Sequence, residues 1–299
     1  MPETSPDLSR VRELRAHRPE AVAQAARRRR RRPLLAHAGR LLLIAADHPA
    51  RGALGVRDEP AAMADRTELL DRLVLALSRP GVDGVLGTAD VLEDLLLLGA
   101  LEDKVVVGSM NRGGLAGASF ELDDRFTGYD ADTIARFGYD GGKMLCRIDF
   151  ADPGTVSTLE SCARAVTGLA GHGLMAMVEP FLSRRAGGKV RNDLSTEAVI
   201  TSVAIAAGLG ATSAHTWLKL PVVAGMEAVM AATTLPTLLL GGDPDSAPEE
   251  TYAEWEKALA LPGVRGLVVG RTMLYPRDGD VAGAVDMAAG LVRSAGEAA

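Results

Sequence analysis

Short apolar, β-prone runs recur along this chain, and helix-patterned stretches separate them. Strands are expected at 41–47, 82–87, 104–109, 143–149, 174–180, 215–221, 236–242 and 264–270. Between them, apolar residues recur with helical spacing in segments such as 68–78, 156–171, 196–210 and 250–261. Parallel strands need a crossover of a dozen or more residues, and a helix supplies it. Strand–helix alternation repeated eight times implies an α/β protein, a closed (β/α)8 TIM barrel. An open doubly wound sheet is the other arrangement, but no GxGxxG turn follows the first run. At 299 residues the chain matches one barrel of roughly 250 residues plus an extension. The division expected is a polybasic N-terminal arm over 1–36 and a single barrel domain over 37–299.

Six consecutive arginines, Arg27 to Arg32, mark the arm. No aromatics interleave them, so the run reads as a solvated helix face or a mobile arm, not a nucleic-acid site. No apolar stretch follows the charge as a signal peptide requires. The net charge of -6 gives no drive toward nucleic acid or an anionic membrane, and no run reaches the ~20 apolar residues of a membrane span. Two cysteines, Cys146 and Cys162, form no framework, so a reducing cytoplasm is expected.

In a barrel, function sits at the C-terminal ends of the strands. The stretch HTWLKLPVV carries Lys219 within an apolar strand, in a chain with only five lysines among 33 basic residues. Arginine cannot lose its proton to become a nucleophilic amine; lysine can. Side chains alternate along a strand. Lys219 therefore shares the inner face with His215 and Trp217, and Leu218 and Leu220 face the helices. By the same parity Glu179 points inward from the fifth run. Lys143 does so from the fourth, with Arg147 on the same face as a candidate substrate contact. His215 lies near the start of its strand and reads as a core residue.

Lys143, Glu179 and Lys219 are thus expected to converge. A lysine beside a second cation loses proton affinity. A neutral Lys219 amine can attack a ketone, and Glu179 can shuttle protons for dehydration, which outlines a class I aldolase. The plainer reading is a salt-bridged pair that fills the barrel. Gly241, Gly242 and Gly270 end the last two strands. Their N–H groups, with Arg271, make a candidate phosphate cradle. No HxH or HExxH constellation is present, so neither metal nor cofactor is expected. The segment 109–133 is either a substrate lid or a rim loop.

Several motifs together resemble the tagatose-1,6-bisphosphate aldolase family. AADHPARGAL resembles its DxRGAL start, with two more residues between Asp47 and Arg51. GYDGGKMLCRIDF and MVEPF resemble its strand-four lysine and strand-five glutamate motifs, and WLKLPV and VVGRTM its Schiff-base and phosphate strands. The chain also resembles the deoxyribose-phosphate aldolase-like actinobacterial barrels associated with inositol catabolism. The matches span about 41 to 290 in order. The resemblance implies that Lys219 forms the Schiff base and that Glu179 donates and accepts protons. It also implies that Lys143 is an active-site cation, that Asp47 acts on a substrate hydroxyl and that Arg51 meets the substrate.

It further implies a phosphorylated ketose or keto acid as substrate, with 6-phospho-5-dehydro-2-deoxygluconate, cleaved to dihydroxyacetone phosphate and malonate semialdehyde, as one candidate. Tagatose or fructose bisphosphate and deoxyribose phosphate are the alternatives, and a non-catalytic sugar-phosphate sensor is another. A barrel of this kind is expected to self-associate.

Overall fold

The run LLLIAA forms the first strand, β1 (Leu41–Ala46), and every residue in it is buried. Burial on both faces is the mark of a parallel sheet covered by helices. In the computed structural model, which describes residues 7–35, 39–111, 114–241 and 247–297, eight parallel strands follow this pattern. They are β1, β2 (Gly84–Gly87), β3 (Val105–Ser109), β4 (Gly141–Ile148), β5 (Met175–Ala186), β7 (Thr216–Leu220), β8 (Thr237–Leu240) and β9 (Val264–Val269). A ninth strand, β6 (Lys189–Asn192), is antiparallel to the end of β5. β1 pairs with both β2 and β9, and β4 pairs with β5, so the sheet closes on itself. The expected (β/α)8 barrel is the fold observed. Among the described residues no helix is long and apolar enough to cross a membrane.

Strand parity divides the apolar residues into two clusters. Leu41, Leu43, Val107, Met177 and Trp217 fill the barrel interior. Leu42, Ile44, Leu218 and Leu220 belong to the layer between the strands and the outer helices. Helices begin where side chains can satisfy their first N–H groups: Asp65, Asp130 and Ser195 each accept one or two such bonds.

Two features differ from the sequence reading. The β5–β6 hairpin extends past the barrel rim, where the sequence analysis ended a strand at residue 180. Its turn is Gly187–Gly188, with φ of 58° and 76°. Two successive positive φ values are what a tight hairpin turn needs, and glycine meets them without strain. The polybasic run is the second feature. Arg27 and Arg28 end the exposed last turn of a helix (Glu20–Arg28), but Arg29 to Arg32 are neither a solvated helix face nor a mobile arm.

Arg29 is 5% exposed and donates to the carbonyls of Lys104 and Gly138, at 2.7 Å each. Arg30 pairs with Asp103, Arg31 with Asp140, and Arg32 with Asp83. These partners precede β2, β3 and β4. Asp83 also accepts from the N–H of Leu42, and Asp140 from that of Val106. Leu34 packs against the interior cluster. The segment is a strap across the N-terminal mouth of the barrel.

Removing the Arg29 guanidinium leaves two partly buried carbonyls without their donor. Arg29→Ala is expected to lower stability by about 3 kcal/mol, whereas Arg27→Ala, at an exposed position, changes it by less than about 0.5 kcal/mol. Urea unfolding of the two variants side by side measures the difference.

Candidate active site

Four ionisable side chains meet inside the C-terminal mouth of the barrel. Asp47 follows β1, Lys143 lies on β4, Glu179 on β5 and Lys219 on β7. All four are buried, between 4% and 9% exposed. Inward parity puts them there, and the closure of β4 onto β5 makes Lys143 and Glu179 neighbours. Lys143 Nζ donates to Asp47 Oδ2 at 2.9 Å and lies 2.6 Å from Glu179 Oε2. Lys219 Nζ lies 2.9 Å from Glu179 Oε1. The charges alternate: Asp47, Lys143, Glu179, Lys219. Ser109 also reaches Asp47, at 3.4 Å.

Burial opposes charge on Asp47, Lys143 and Glu179, and pairing overrides it. Lys143, between Asp47 and Glu179, is held above the ordinary lysine range. Asp47 is held well below the usual carboxylate range, mainly by Lys143. Glu179 is brought down to about 2 by Lys143 and Lys219, although Asp47 pushes the other way. Lys143, Glu179 and Lys219 converge as expected, with the carboxylate placed between the two lysines. Glu179 lies between the two amines, and Lys143 is neutralised by two carboxylates. Hydrogen-bond distances run unbroken from Asp47 through Lys143 and Glu179 to Lys219.

The cluster forms one wall of a cavity of about 210 Å³. Arg51, Gly241, Gly270 and Arg271 line the cavity with Asp47, Lys143, Glu179 and Lys219. Gly242 lies outside the described residues. Arg147 does not line the cavity: it is 5% exposed, and its Nη1 lies 2.6 Å from Glu121 Oε1. His215 is half-buried just ahead of β7, not in the core. Gly270 is required by space: a Cβ there would lie 2.6 Å from the carbonyl oxygen of Ala45 and 3.1 Å from His48 Cε1.

Three polar lining residues were not placed in the site by the sequence: His48, Thr272 and Asn192. His48 directly follows Asp47 at a strand end, which was the available signal. Asn192 arrives on the β5–β6 hairpin, whose Gly-Gly turn was its signal.

Part of the segment after β3 is fastened beside this site. Asn111 donates to the Leu145 carbonyl at 2.7 Å and accepts from the Leu145 N–H at 2.8 Å, so its amide pairs with β4 as a strand would. Its amide also donates to Asp124, whose carboxyl burial raises to about 6. Glu121 holds Arg147 and, at 3.7 Å, Arg51. Arg185 of the hairpin donates to the Ser119 carbonyl at 2.9 Å. Among the described residues no group of three or more His, Cys, Asp or Glu side chains is placed to hold a metal ion.

A family model described as Cgl0159-like matches residues 39–289. Among solved structures, Cgl0159 from Corynebacterium glutamicum is 59% identical, with 98% of this chain and 99% of that one covered and a TM-score of 0.95. An archaeal fructose-1,6-bisphosphate aldolase, solved with its catalytic lysine bound to a carbinolamine, is 20% identical. It covers 91% of this chain and 99% of its own, with a TM-score of 0.63. A fructose-bisphosphate aldolase from Slackia heliotrinireducens is 13% identical, covering 86% of each chain, with a TM-score of 0.59. These two likenesses carry the fold. No curated protein matches the chain.

The depressed Glu179 makes a pH prediction. Its folded value of about 2 lies below the ordinary 4.5, so its stabilisation is present above pH 4.5 and is lost as pH falls toward 2. Glu179→Gln is expected to flatten the acid limb of the unfolding curve across that window. An unchanged limb in thermal melts from pH 5 to 2 would contradict the assignment.

Proposed function

We propose that this chain, which belongs to the Cgl0159-like family, is a Schiff-base aldolase that needs no metal and acts on a phosphorylated ketose or keto acid. The observation that carries the reading is the buried Lys219 amine 2.9 Å from Glu179, at the wall of a cavity whose far side offers Gly241, Gly270 and Arg271.

The ligand's phosphate sits against those last three residues, where backbone N–H groups and a guanidinium suit a dianion. Its ketone then lies over Lys219. Glu179 takes a proton from the Lys219 ammonium, and the freed amine attacks the carbonyl carbon. The same carboxyl returns a proton to the carbinolamine hydroxyl, water leaves, and an iminium forms. The iminium accepts the electron pair of the carbon–carbon bond as it breaks. Lys143 keeps Glu179 oriented between the two amines, and its pairing holds Asp47 where a substrate hydroxyl can meet it.

The resemblance to barrels associated with inositol catabolism makes 6-phospho-5-dehydro-2-deoxygluconate the first substrate to test, with dihydroxyacetone phosphate and malonate semialdehyde as products. Tagatose or fructose bisphosphate and deoxyribose phosphate are the substrates to test against it.

Borohydride trapping tests the covalent step. With dihydroxyacetone phosphate, reduction is expected to leave a stable adduct on Lys219, located by peptide mapping and absent from Lys219→Met. A folded protein that forms no adduct with dihydroxyacetone phosphate, acetaldehyde or pyruvate would refute the Schiff-base reading.

A further inference from the structure

His48 is the one lining side chain with proton-transfer chemistry that this reaction leaves unused. It follows Asp47 at the rim of β1, and a Cβ at Gly270 would lie 3.1 Å from its Cε1. Among the described residues neither ring nitrogen makes a hydrogen bond, and Nδ1 is fully buried without a partner. A buried polar atom left unpaired calls for an explanation. The nearest polar atom to Nδ1 among its ion-pair contacts is Asp47 Oδ1, at 3.8 Å. That carboxylate favours the tautomer with the proton on Nδ1, which leaves the lone pair on Nε2 of a ring that lines the cavity.

The groups acting on the imidazole are Asp47 beside it, Lys143 on β4, Lys219 on β7 and Arg271 after β9. Burial first, then the three cations, hold its pKa down at about 4 against the pull of Asp47. It is therefore a neutral base at physiological pH. The neighbouring carboxylates are engaged elsewhere: Asp47 is paired with Lys143 at 2.9 Å, and Glu179 serves the Lys219 amine at 2.9 Å.

We infer that His48 is the base that removes the hydroxyl proton of the substrate during carbon–carbon cleavage, and returns it in condensation. The inference rests on the aldolase reading above. In the step, the hydroxyl proton passes to Nε2 and the oxygen's electron pair forms the aldehyde carbonyl. The carbon–carbon bond breaks, and its pair moves into the iminium on Lys219 to give the enamine. No other reactant is consumed. Schiff-base formation and proton exchange at the hydroxymethyl carbon of dihydroxyacetone phosphate need no hydroxyl base, so they separate His48 from the rest of the machinery.

The test compares wild type with His48→Gln and His48→Ala in three assays. These are borohydride adduct formation with dihydroxyacetone phosphate, exchange of its hydroxymethyl-carbon hydrogen in heavy water, and cleavage of three phosphorylated ketones. They are the keto acid 6-phospho-5-dehydro-2-deoxygluconate and the ketoses fructose 1,6-bisphosphate and tagatose 1,6-bisphosphate. Both variants are expected to keep the adduct and the exchange within about twofold, and to lose about 100-fold or more in kcat for cleavage with little change in KM. Added imidazole is expected to restore part of the cleavage in His48→Ala.

Cleavage at the wild-type rate in His48→Gln would overturn the assignment. So would a parallel loss of adduct, exchange and cleavage, the pattern of a ring that only shapes the pocket. Wild type that forms the adduct but cleaves none of the three substrates also overturns it. Absence of any adduct in wild type refutes the aldolase reading itself.

Discussion

Two lysines and two carboxylates are buried together inside the barrel mouth, and their mutual pairing is the constraint around which the site is arranged. An isolated charge in such a place loses several kcal/mol of hydration, so each of the four is tolerable only because another stands beside it. Lys143, Glu179 and Lys219 come from three different strands, and Asp47 from the residue after a fourth. Their separations of 2.6 to 2.9 Å exist only if β1, β4, β5 and β7 hold their places in the closed sheet. The network is therefore a poor source of net stability and a strict reporter of geometry. The alternation of sign has a chemical consequence as well. A ligand that consumes the charge on Lys219 unbalances Glu179, and the imbalance passes to Lys143 and Asp47. Groups coupled in this way can exchange protons without any of them being left buried and unpaired.

The two mouths of the barrel divide the work. At the N-terminal mouth, arginines 29 to 32 bind the carboxylates and carbonyls that precede β2, β3 and β4, and Leu34 closes the apolar interior. Nothing there need move. At the C-terminal mouth the same kinds of contact fasten loops, not strands. Glu121 holds Arg147 and Arg51, and Arg185 ties the hairpin to the segment after β3. Arg51 stands on the cavity wall while sharing Glu121 with Arg147, so the loop contacts and the cavity lining are electrostatically joined.

Much of this was legible in the sequence, for a local reason. Strand and helix periodicities are properties of a few consecutive residues, and all eight barrel strands lie where the apolar runs occur. Parity along those runs is local too. It put Lys143, Glu179 and Lys219 on inward faces, and it put Arg147 on the same face as Lys143. Parity says which way a side chain points but not what it meets. Arg147 meets Glu121, a partner 26 residues away in a loop, and is drawn away from the cavity. The arginine run shows the same limit: charge density suggested a solvated surface, but the partners of Arg29 and Arg32 are 75 and 51 residues distant.

The sequence by itself determined the barrel, the inward set of ionisable groups and the glycine-rich ends of the last two strands, because spacing and residue type decide these. Tertiary structure alone decided the pairing order of the four charges, the strap beneath the barrel and the seat of His48 against Gly270. Each of these depends on distances between residues far apart in the chain. Only closure of the sheet, which brings β1 beside β9 and β4 beside β5, fixes such distances.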